Sequence, residues 1–266
     1  MPACGRQARY SFSIDIVKSI INFMINGALN IYKEKGVTSF YVVRKIKKIL
    51  GVKKCGHAGT LDPLAEGVMQ VCIGRGTKMV PFLQEEEKTY EAVIRLGIST
   101  DTQDGEGRII KQCDDIKVNQ ENILAVLNRF TGVQEQIPPM FSALRFQGKR
   151  LYTLARRGIE VPRKPRLIKI YGINLLDFNF PAFKIIVRCS KGTYIRTLAS
   201  DIGESLECGA YLYSLKRIKI GKFLIEHSLT LEEVKKLARE GKIEEKIYSS
   251  EEMLEVKSGY LNPQKN

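Results

Sequence analysis

The sequence predicts a mixed α+β domain, and two observations support this fold class. Patterns typical of strands and of helices both occur along the 266 residues, but they lack the regular β-α-β rhythm of a doubly wound parallel sheet. The apolar fraction of 44% is high enough to build a sizeable core. The length suits one large domain, with or without a small appendage.

The first elements are predicted from local patterns. Residues 1–23 differ in character from the rest of the chain, and we treat them as an N-terminal extension of unknown role, in which aliphatic residues at helical spacing fit a short amphipathic helix. Ala28–Tyr32 has the pattern of a strand. Thr38 or Ser39 can N-cap a basic helix over residues 40–50, because the apolar residues of that stretch share one face.

The rest of the chain mixes loops with both kinds of element. Residues 51–76 are rich in glycine, which predicts mostly loop and short strand. Further on, alternating apolar residues predict strands and one-sided apolar faces predict helices. The predicted strands cover 89–96, 168–176, 183–189 and 215–223, and the predicted helices cover 119–130, 194–206 and 231–239, the last N-capped by Thr230.

The charge indicates a polyanionic partner. Lys and Arg number 43 against 29 Asp and Glu, a net charge of +14. Cations that neutralise phosphates release condensed counterions, so such a balance favours nucleic acid, although a basic soluble protein has the same composition. The cations concentrate between Phe141 and Lys169, where only Glu160 opposes them and aromatic residues are interleaved. A solvated face would normally mix both signs, so this stretch is typical of a nucleic-acid contact surface.

Cysteine and histidine positions argue against several other classes. The cysteines are scattered, without a C-x-x-C pair, and the two histidines stand far apart, which disfavours a zinc site or a disulfide framework. Reduced thiols in the cytoplasm are the simpler interpretation. The sequence shows no secretory signal peptide or membrane span.

The densest segment is Gly56–Gly67 (GHAGTLDPLAEG), a loop in which Asp62 is the carboxylate held among small and apolar neighbours. Its glycines permit tight turns and the close approach of a ligand. Taken alone, Asp62 is more simply interpreted as a turn residue, because Asp-Pro is a common turn dipeptide.

Several segments, in order along the chain, resemble the TruB-like tRNA pseudouridine synthases. Gly56–Gly67 resembles the catalytic loop of that family, G-H-x-G-x-L-D-P-x-A-x-G. The other matching segments are NIYKEKGVTSFYVV from Asn30, Lys88-Thr89-Tyr90, STDTQDGEG from Ser99, QIPPMFSA from Gln136, CSKGTYIRTLASDIG from Cys189, and Leu215-Lys216-Arg217. Glu34 and Phe141 depart from the family pattern, which often has Pro and Tyr there, and neither departure touches the core chemistry.

The resemblance implies a largely antiparallel central sheet flanked by helices and loops, the pseudouridine synthase fold, with a basic thumb-like insertion at 141–166 that clamps RNA. It implies a catalytic domain at 24–248 and a C-terminal tail at 249–266, so we expect the PUA domain of many relatives to be absent or truncated. The implied activity is isomerisation of uridine 55 in the T-loop of tRNA, by a monomer, without cofactor or metal.

The resemblance also assigns roles to single residues. Asp62 is implied as the catalytic carboxylate, Arg196 as its ion-pair partner and Tyr90 as the residue that stacks on the target base. Leu215 is implied as an apolar wall of the uracil pocket, and His57 as a neighbour of the flipped nucleotides. Without the family, a core tyrosine, a surface arginine, a core leucine and a structural histidine are the simpler interpretations. The cations expected to grip RNA phosphates are Arg145, Lys149, Arg150, Arg156 and Arg157.

Two alternatives stay open from the sequence. A guide-RNA-dependent pseudouridine synthase shares the scaffold but depends on a PUA domain and on protein partners. A non-catalytic tRNA-binding or tRNA-folding protein could keep the scaffold without the chemistry, although the joint presence of Asp62, Tyr90 and Arg196 argues against it.

Overall fold

The computed structural model of this chain describes residues 25–253, so the predicted helix in 1–23 and most of the predicted tail lie outside the described residues. The described chain is built on a nine-stranded sheet with the order β1-β3-β12-β4-β11-β10-β7, to which β2 and β13 add at β3 and β12. The strands of this sheet are β1 (Gly27–Lys33), β2 (Cys55–His57), β3 (Glu66–Ile73), β4 (Lys88–Leu96), β7 (Gly132–Gln136), β10 (Arg166–Asn179), β11 (Ala182–Cys189), β12 (Ala210–Ile220) and β13 (Phe223–Leu224).

Two small ribbons and a set of helices complete the fold. The ribbons are β5 (Ile98–Thr100) with β6 (Ile109–Gln112), and β8 (Arg145–Phe146) with β9 (Lys149–Arg150). The α-helices are α1 (Ser39–Leu50), α2 (Val80–Gln84), α3 (Gln120–Arg129), α4 (Leu151–Ala155), α5 (Ile195–Ser205) and α6 (Leu231–Arg239), with 3-10 turns at Gly74–Met79, Ile225–His227 and Ile243–Lys246.

The predicted fold class is confirmed, because the sheet is largely antiparallel and lies among helices. Within the described residues the paired strands run antiparallel except at one place, where Glu66 and Gly67 of β3 lie beside Lys216 and Arg217 of β12 in a parallel pairing. That exception brings the exit of the Gly56–Gly67 loop against a strand that comes far later in the chain.

Helix α1 forms where local signals predict it. The Thr38 hydroxyl accepts a hydrogen bond from the Tyr41 amide at 3.1 Å and so N-caps the helix. Gly51 ends it in the left-handed conformation at φ 67°, which glycine adopts without a steric penalty. The buried face includes Val42, Ile46 and Leu50 and packs with β1, β3 and α6 in one core cluster.

A second and larger core cluster lies between the sheet and helices α3 and α5. It includes Ile94 of β4, Ile185 of β11, Ile123 of α3 and Leu198 of α5. Leu61 also belongs to this cluster, and it is hydrogen-bonded to Ser39 of α1, the helix that packs in the first cluster. The Gly56–Gly67 loop therefore lies at the junction of the two packed regions.

Two predicted stretches differ from the structure in their extent. Residues 51–76 were predicted as mostly loop and short strand, whereas residues 66–73 form the eight-residue strand β3, whose side chains are almost all buried. A strand covered on both faces shows no alternation, so its apolar run carried no strand signature beside so many glycines. The strand predicted at 215–223 begins at Ala210 and turns at Gly221 into β13, because Gly221 takes φ 51° and starts a tight hairpin.

Candidate active site

The backbone of the loop around Asp62 is held from the side of β1 and α1. The Ser39 hydroxyl accepts a hydrogen bond from the Leu61 amide and donates one to the Leu61 carbonyl, both at 2.9 Å. The Gly36 amide donates to the carbonyl of Pro63 at 2.8 Å. These contacts fix the residues on both sides of Asp62, so the carboxylate cannot shift without moving the start of α1.

Arg217 holds the same loop from the opposite side. Its side chain is only 1% exposed. Nε donates to the carbonyl of Val68 at 2.8 Å, while Nη1 and Nη2 donate at 3.3 Å to the carbonyls of Thr60 and Gly59. One buried guanidinium therefore satisfies two backbone acceptors of the irregular stretch before Asp62 and one of β3, and so ties the loop to the sheet.

Asp62 is paired with Arg196, as the resemblance implied. Arg196 Nη2 lies 2.7 Å from Asp62 Oδ2, and Arg196 itself is buried at 6% exposure rather than lying on the surface of its helix. Arg196 Nη1 also lies 3.4 Å from Oδ2 of Asp104, whose side chain is almost fully buried. One guanidinium thus bridges two carboxylates, and its orientation is set by both.

Asp104 is positioned by its own turn. Oδ1 of Asp104 accepts hydrogen bonds from the Thr102 hydroxyl at 2.5 Å and from the Glu106 amide at 3.1 Å. The turn is docked on β12, because the Gly105 amide donates to the Leu212 carbonyl at 3.1 Å. The carboxylate that orients Arg196 therefore belongs to a rigid loop anchored on the central sheet.

The start of α5 is fixed by a buried side-chain amide. Gln136 Oε1 accepts from the Tyr194 amide at 2.8 Å, and Gln136 Nε2 donates to the Tyr194 carbonyl at 3.1 Å. One turn further, the Thr197 hydroxyl donates to Gln103 at 2.8 Å. Arg196 stands between these two anchors, so both the end of β7 and the Asp104 turn determine where its guanidinium lies.

The electrostatics of Asp62 suit a reactive carboxylate. Burial raises the pKa of Asp62, the Arg196 guanidinium opposes that effect, and the nearby Asp104 carboxylate raises the pKa again, so the net shift is upward. The carboxylate side chain keeps about a third of its surface exposed, at 35%. It is therefore paired with Arg196 yet open on one side to a substrate.

Tyr90 and Leu215 lie in the apolar wall behind Asp62. Both are 8% exposed and pack with Leu61 in the larger core cluster. Burial raises the pKa of Tyr90, although the neighbouring Arg217 opposes this, so the phenol stays protonated at neutral pH. The ring of Tyr90 is thus part of the core.

His57 lies at the end of β2, half-buried, on the edge of the loop. The Gly59 amide donates to its Nδ1 at 3.3 Å. Burial and the charge of Arg217 lower the pKa of His57, so the imidazole is neutral at pH 7, with Nε2 carrying the proton.

The cations expected to bind RNA lie away from the core, on the segment between β7 and β10. Ribbon β8–β9 and helix α4 form this segment, and its five predicted RNA-binding cations are all exposed: Arg145, Lys149, Arg150, Arg156 and Arg157. The guanidinium of Arg156 lies 5.7 Å from the Tyr152 ring centroid. Arg166, the last residue of the predicted insertion, is the first residue of β10.

Asp104, Arg217 and Lys33 were not predicted as site residues, although the segments that contain them were noted. Lys33 is fully buried, and its Nζ donates to the carbonyls of Glu34 and Val37 at 3.0 and 2.7 Å. Burial lowers the pKa of Lys33 to about 8, against the attraction of Asp62. A charged residue at the end of a largely apolar strand was the signal that could have identified Lys33, whereas Arg217 shares its strand with Lys216 and Lys219 and had no such signal.

No group of His, Cys, Asp and Glu side chains within residues 25–253 is arranged to hold a metal ion. In the same part of the chain no helix is long and apolar enough to cross a membrane. What the site offers is one carboxylate, a guanidinium paired with it and an apolar wall, an arrangement that suits nucleophilic or base catalysis.

Comparison with known families identifies the class. A profile described as "TruB family pseudouridylate synthase (N terminal domain)" matches residues 47–195, and a second, "tRNA pseudouridylate synthase B C-terminal domain", matches residues 196–256. The chain therefore belongs to the TruB family of pseudouridylate synthases, a family of pseudouridine-forming isomerases.

Two individual relatives match most of this chain. A tRNA pseudouridine synthase B from Clostridium tetani is 48% identical over 230 residues, which cover 86% of this chain and 78% of the relative. Its counterpart from Clostridium novyi is 51% identical over 207 residues, covering 78% of this chain and 71% of the relative.

Solved structures show the same fold. A chain from a Cbf5-Nop10-Gar1 complex matches with a TM-score of 0.69 at 29% identity, and one from an H/ACA RNP bound to a substrate RNA containing 2'-deoxyuridine matches with 0.67 at 27% identity. Each match covers 90% of this chain, which spans 64% and 63% of those chains, less than two thirds of their length.

Proposed function

We propose that this enzyme isomerises one uridine in the T-loop of tRNA, position 55, to pseudouridine, with Asp62 as the catalytic carboxylate. The observation that carries the proposal is the 2.7 Å ion pair between Asp62 and Arg196 at the end of an apolar wall. The high identity to tRNA pseudouridine synthases B over most of the chain supports tRNA as the substrate.

The reaction breaks the N1–C1′ bond of uridine and forms a C5–C1′ bond, while a proton leaves C5 and one is gained at N1. It is an isomerisation, so it balances without a cofactor. Asp62 serves as the nucleophile or base, and Arg196 keeps it ionised and aimed. Leu215 and the edge of Tyr90 provide the apolar wall for the uracil ring while it detaches, turns and rejoins.

A uridine inside a folded T-loop is out of reach of Asp62 unless it is extruded, so the proposal includes base flipping. In this proposal His57, which lies at the end of β2, contacts the flipped nucleotides. The exposed cations of the β8–β9 and α4 segment grip phosphates of the T-arm and set the register without reading sequence. We further propose that the enzyme acts as a monomer in the cytoplasm, and the unpaired cysteines among residues 25–253 suit that compartment.

A guide-RNA-dependent reaction is the main alternative. The solved structures described above come from a Cbf5 complex and an H/ACA RNP, and they are 29% and 27% identical to this chain. The two tRNA pseudouridine synthases B are 48% and 51% identical to it. The higher identity favours a reaction that needs no guide RNA.

The test is to incubate the enzyme with an unmodified tRNA transcript and map pseudouridine at single-nucleotide resolution. We expect pseudouridine at position 55 with the wild type, none with Asp62→Ala, and the wild-type amount with Asp115→Asn, which changes an exposed carboxylate. Salt-sensitive tRNA binding without any pseudouridine would overturn the proposal and favour a guide-dependent enzyme or an RNA-binding scaffold.

A further inference from the structure

Helix α1 carries a second basic surface, separate from the β8–β9 and α4 segment. We call it the α1 basic face, and it includes the short loop after the helix. All of its cations are exposed: Arg44, Lys45, Lys47, Lys48, Lys53 and Lys54. The opposite side of the helix is buried, so Arg44, Lys45, Lys47 and Lys48 lie on its solvent side.

The α1 basic face has a single sign of charge. The sequence contains no Asp or Glu between Glu34 and Asp62. None of the six cations forms an ion pair with any described carboxylate. The cations therefore face solvent with their charge available to an anion.

Helix α6 provides an internal comparison. It packs against α1 in the same core cluster and also faces solvent. Its exposed side mixes signs, with Glu232 and Glu233 beside Lys235 and Lys236, and Glu232 pairs with Lys235 at 3.7 Å. A mixed face of this kind is enough to keep a protein soluble. Solubility therefore does not explain why the α1 basic face has six cations and no acid.

The α1 basic face begins beside the catalytic loop. Ser39, in the first turn of α1, is hydrogen-bonded to Leu61, and Lys54 directly precedes β2, which leads into His57. Because an α-helix rises about 1.5 Å per residue, the twelve residues of α1 extend roughly 18 Å from that point. A polyanion held at Asp62 would reach this surface if it continued past its reacting nucleotide.

Aromatic residues accompany the cations at the end nearest the loop. The Tyr41 ring lies under both Arg44 and Lys45, at 6.0 and 5.2 Å. Phe40 leaves 70% of its surface exposed. Cations stacked on aromatic rings, with a free ring beside them, are the combination that suits a ribose-phosphate backbone and its bases.

We propose that the α1 basic face binds phosphates of the substrate RNA outside the T-arm. This inference rests on the proposed function for the identity of the RNA as tRNA. The contact is electrostatic and independent of sequence. It adds affinity for a complete tRNA that an isolated T-arm hairpin cannot gain.

The experiment compares two substrates, a full-length tRNA transcript and a T-arm hairpin, using the wild type and the triple variant Arg44→Gln/Lys47→Gln/Lys48→Gln. We expect the triple variant to raise KM for full-length tRNA about tenfold or more and to lower the salt slope of binding by about 2–3. Its kcat, and its KM for the hairpin, should equal those of the wild type.

The matched control is Lys235→Gln/Lys236→Gln/Arg239→Gln on α6, which removes the same charge from the mixed face and should leave both substrates unaffected. Unchanged KM for full-length tRNA, equal losses on both substrates, or the same effect from the α6 variant would each overturn the inference. If the wild type formed no pseudouridine, the proposed function would fail, whereas the salt slope of tRNA binding by the two variants would still test the α1 basic face.

Discussion

Replacing Arg217 by methionine tests whether one buried guanidinium holds the catalytic loop. Methionine has a similar length and apolar stem but donates no hydrogen bond. The change leaves the carbonyls of Val68, Thr60 and Gly59 without their donors, in a place where Arg217 itself is 1% exposed.

The magnitude can be worked out from those contacts. Hydrogen bonds to a charged group contribute about 1.5–3 kcal/mol each, and the two bonds of 3.3 Å belong at the weak end of that range. Removing a buried charge recovers part of its desolvation cost, so we expect a net loss of about 3–5 kcal/mol in the free energy of unfolding. For a domain of this size that lowers Tm by roughly 6–20 °C.

Activity should fall further than stability predicts. At a temperature where the variant is folded, we expect kcat to drop about 100-fold, because a catalytic group displaced by about 1 Å loses that much. Thermal unfolding followed by circular dichroism measures the change in Tm, and single-turnover pseudouridine formation measures the change in kcat. Arg217→Lys keeps the charge and one donor nitrogen, so it should recover part of the lost Tm and part of the lost kcat.

The control is Lys219→Met on the same strand, where the side chain is exposed and the cost should stay within about 0.5 kcal/mol. A variant Arg217→Met with the Tm and kcat of the wild type would refute the reasoning. A large drop in Tm with unchanged kcat would show that Arg217 stabilises the sheet without placing the loop.

Three further predictions concern the charges around the site. Asp104→Asn should lower kcat about 10–100-fold in single-turnover assays, because Arg196 loses the second carboxylate that orients it, and unchanged kcat would contradict this. Since the pKa of Asp62 is raised and its ionised form is the reactive one in the proposal, kcat should fall as the pH decreases through a value above 3.8. Asp104→Asn should move this decrease of kcat to lower pH, because the Asp104 carboxylate is one cause of the raised pKa. A decrease of kcat at an unchanged pH would exclude coupling of the two carboxylates. Arg156→Gln/Arg157→Gln should raise KM for a T-arm hairpin and reduce its salt dependence without changing kcat, whereas a change confined to kcat would place these cations elsewhere in the mechanism.

Local signals determined how much of the fold could be predicted. Helix α1 was predicted nearly to the residue, because Thr38 and Gly51 mark its two ends in the sequence itself. Strand β3 was not, because its signal is burial on both faces, which depends on the strands beside it. The prediction of the end of β12 failed for a similar reason, since a turn at Gly221 resembles any other glycine in an apolar run.

Some residues of the site could be predicted from the sequence, and others could not. Asp62 and Arg196 were predicted from the resemblance, and the ion pair between them is present at 2.7 Å. Asp104 and Arg217 act through contacts with residues 92 and 149 positions away, and no local pattern reports such pairings. Tyr90 was expected at the target base; the structure gives its ring a place in the core, and the role at the base stays a prediction.

The parallel pairing of Gly67 with Arg217 has a consequence for when the catalytic loop is held during synthesis. A Cβ atom at Gly67 would lie 2.2 Å from the Arg217 carbonyl oxygen, so the two backbones meet without room for a side chain. The loop that carries Asp62 is translated early, but the arginine that fixes it comes 149 residues after Val68. During synthesis the loop that carries Asp62 is therefore translated long before the strand that holds it, and it gains the three Arg217 hydrogen bonds only after β12 has been made.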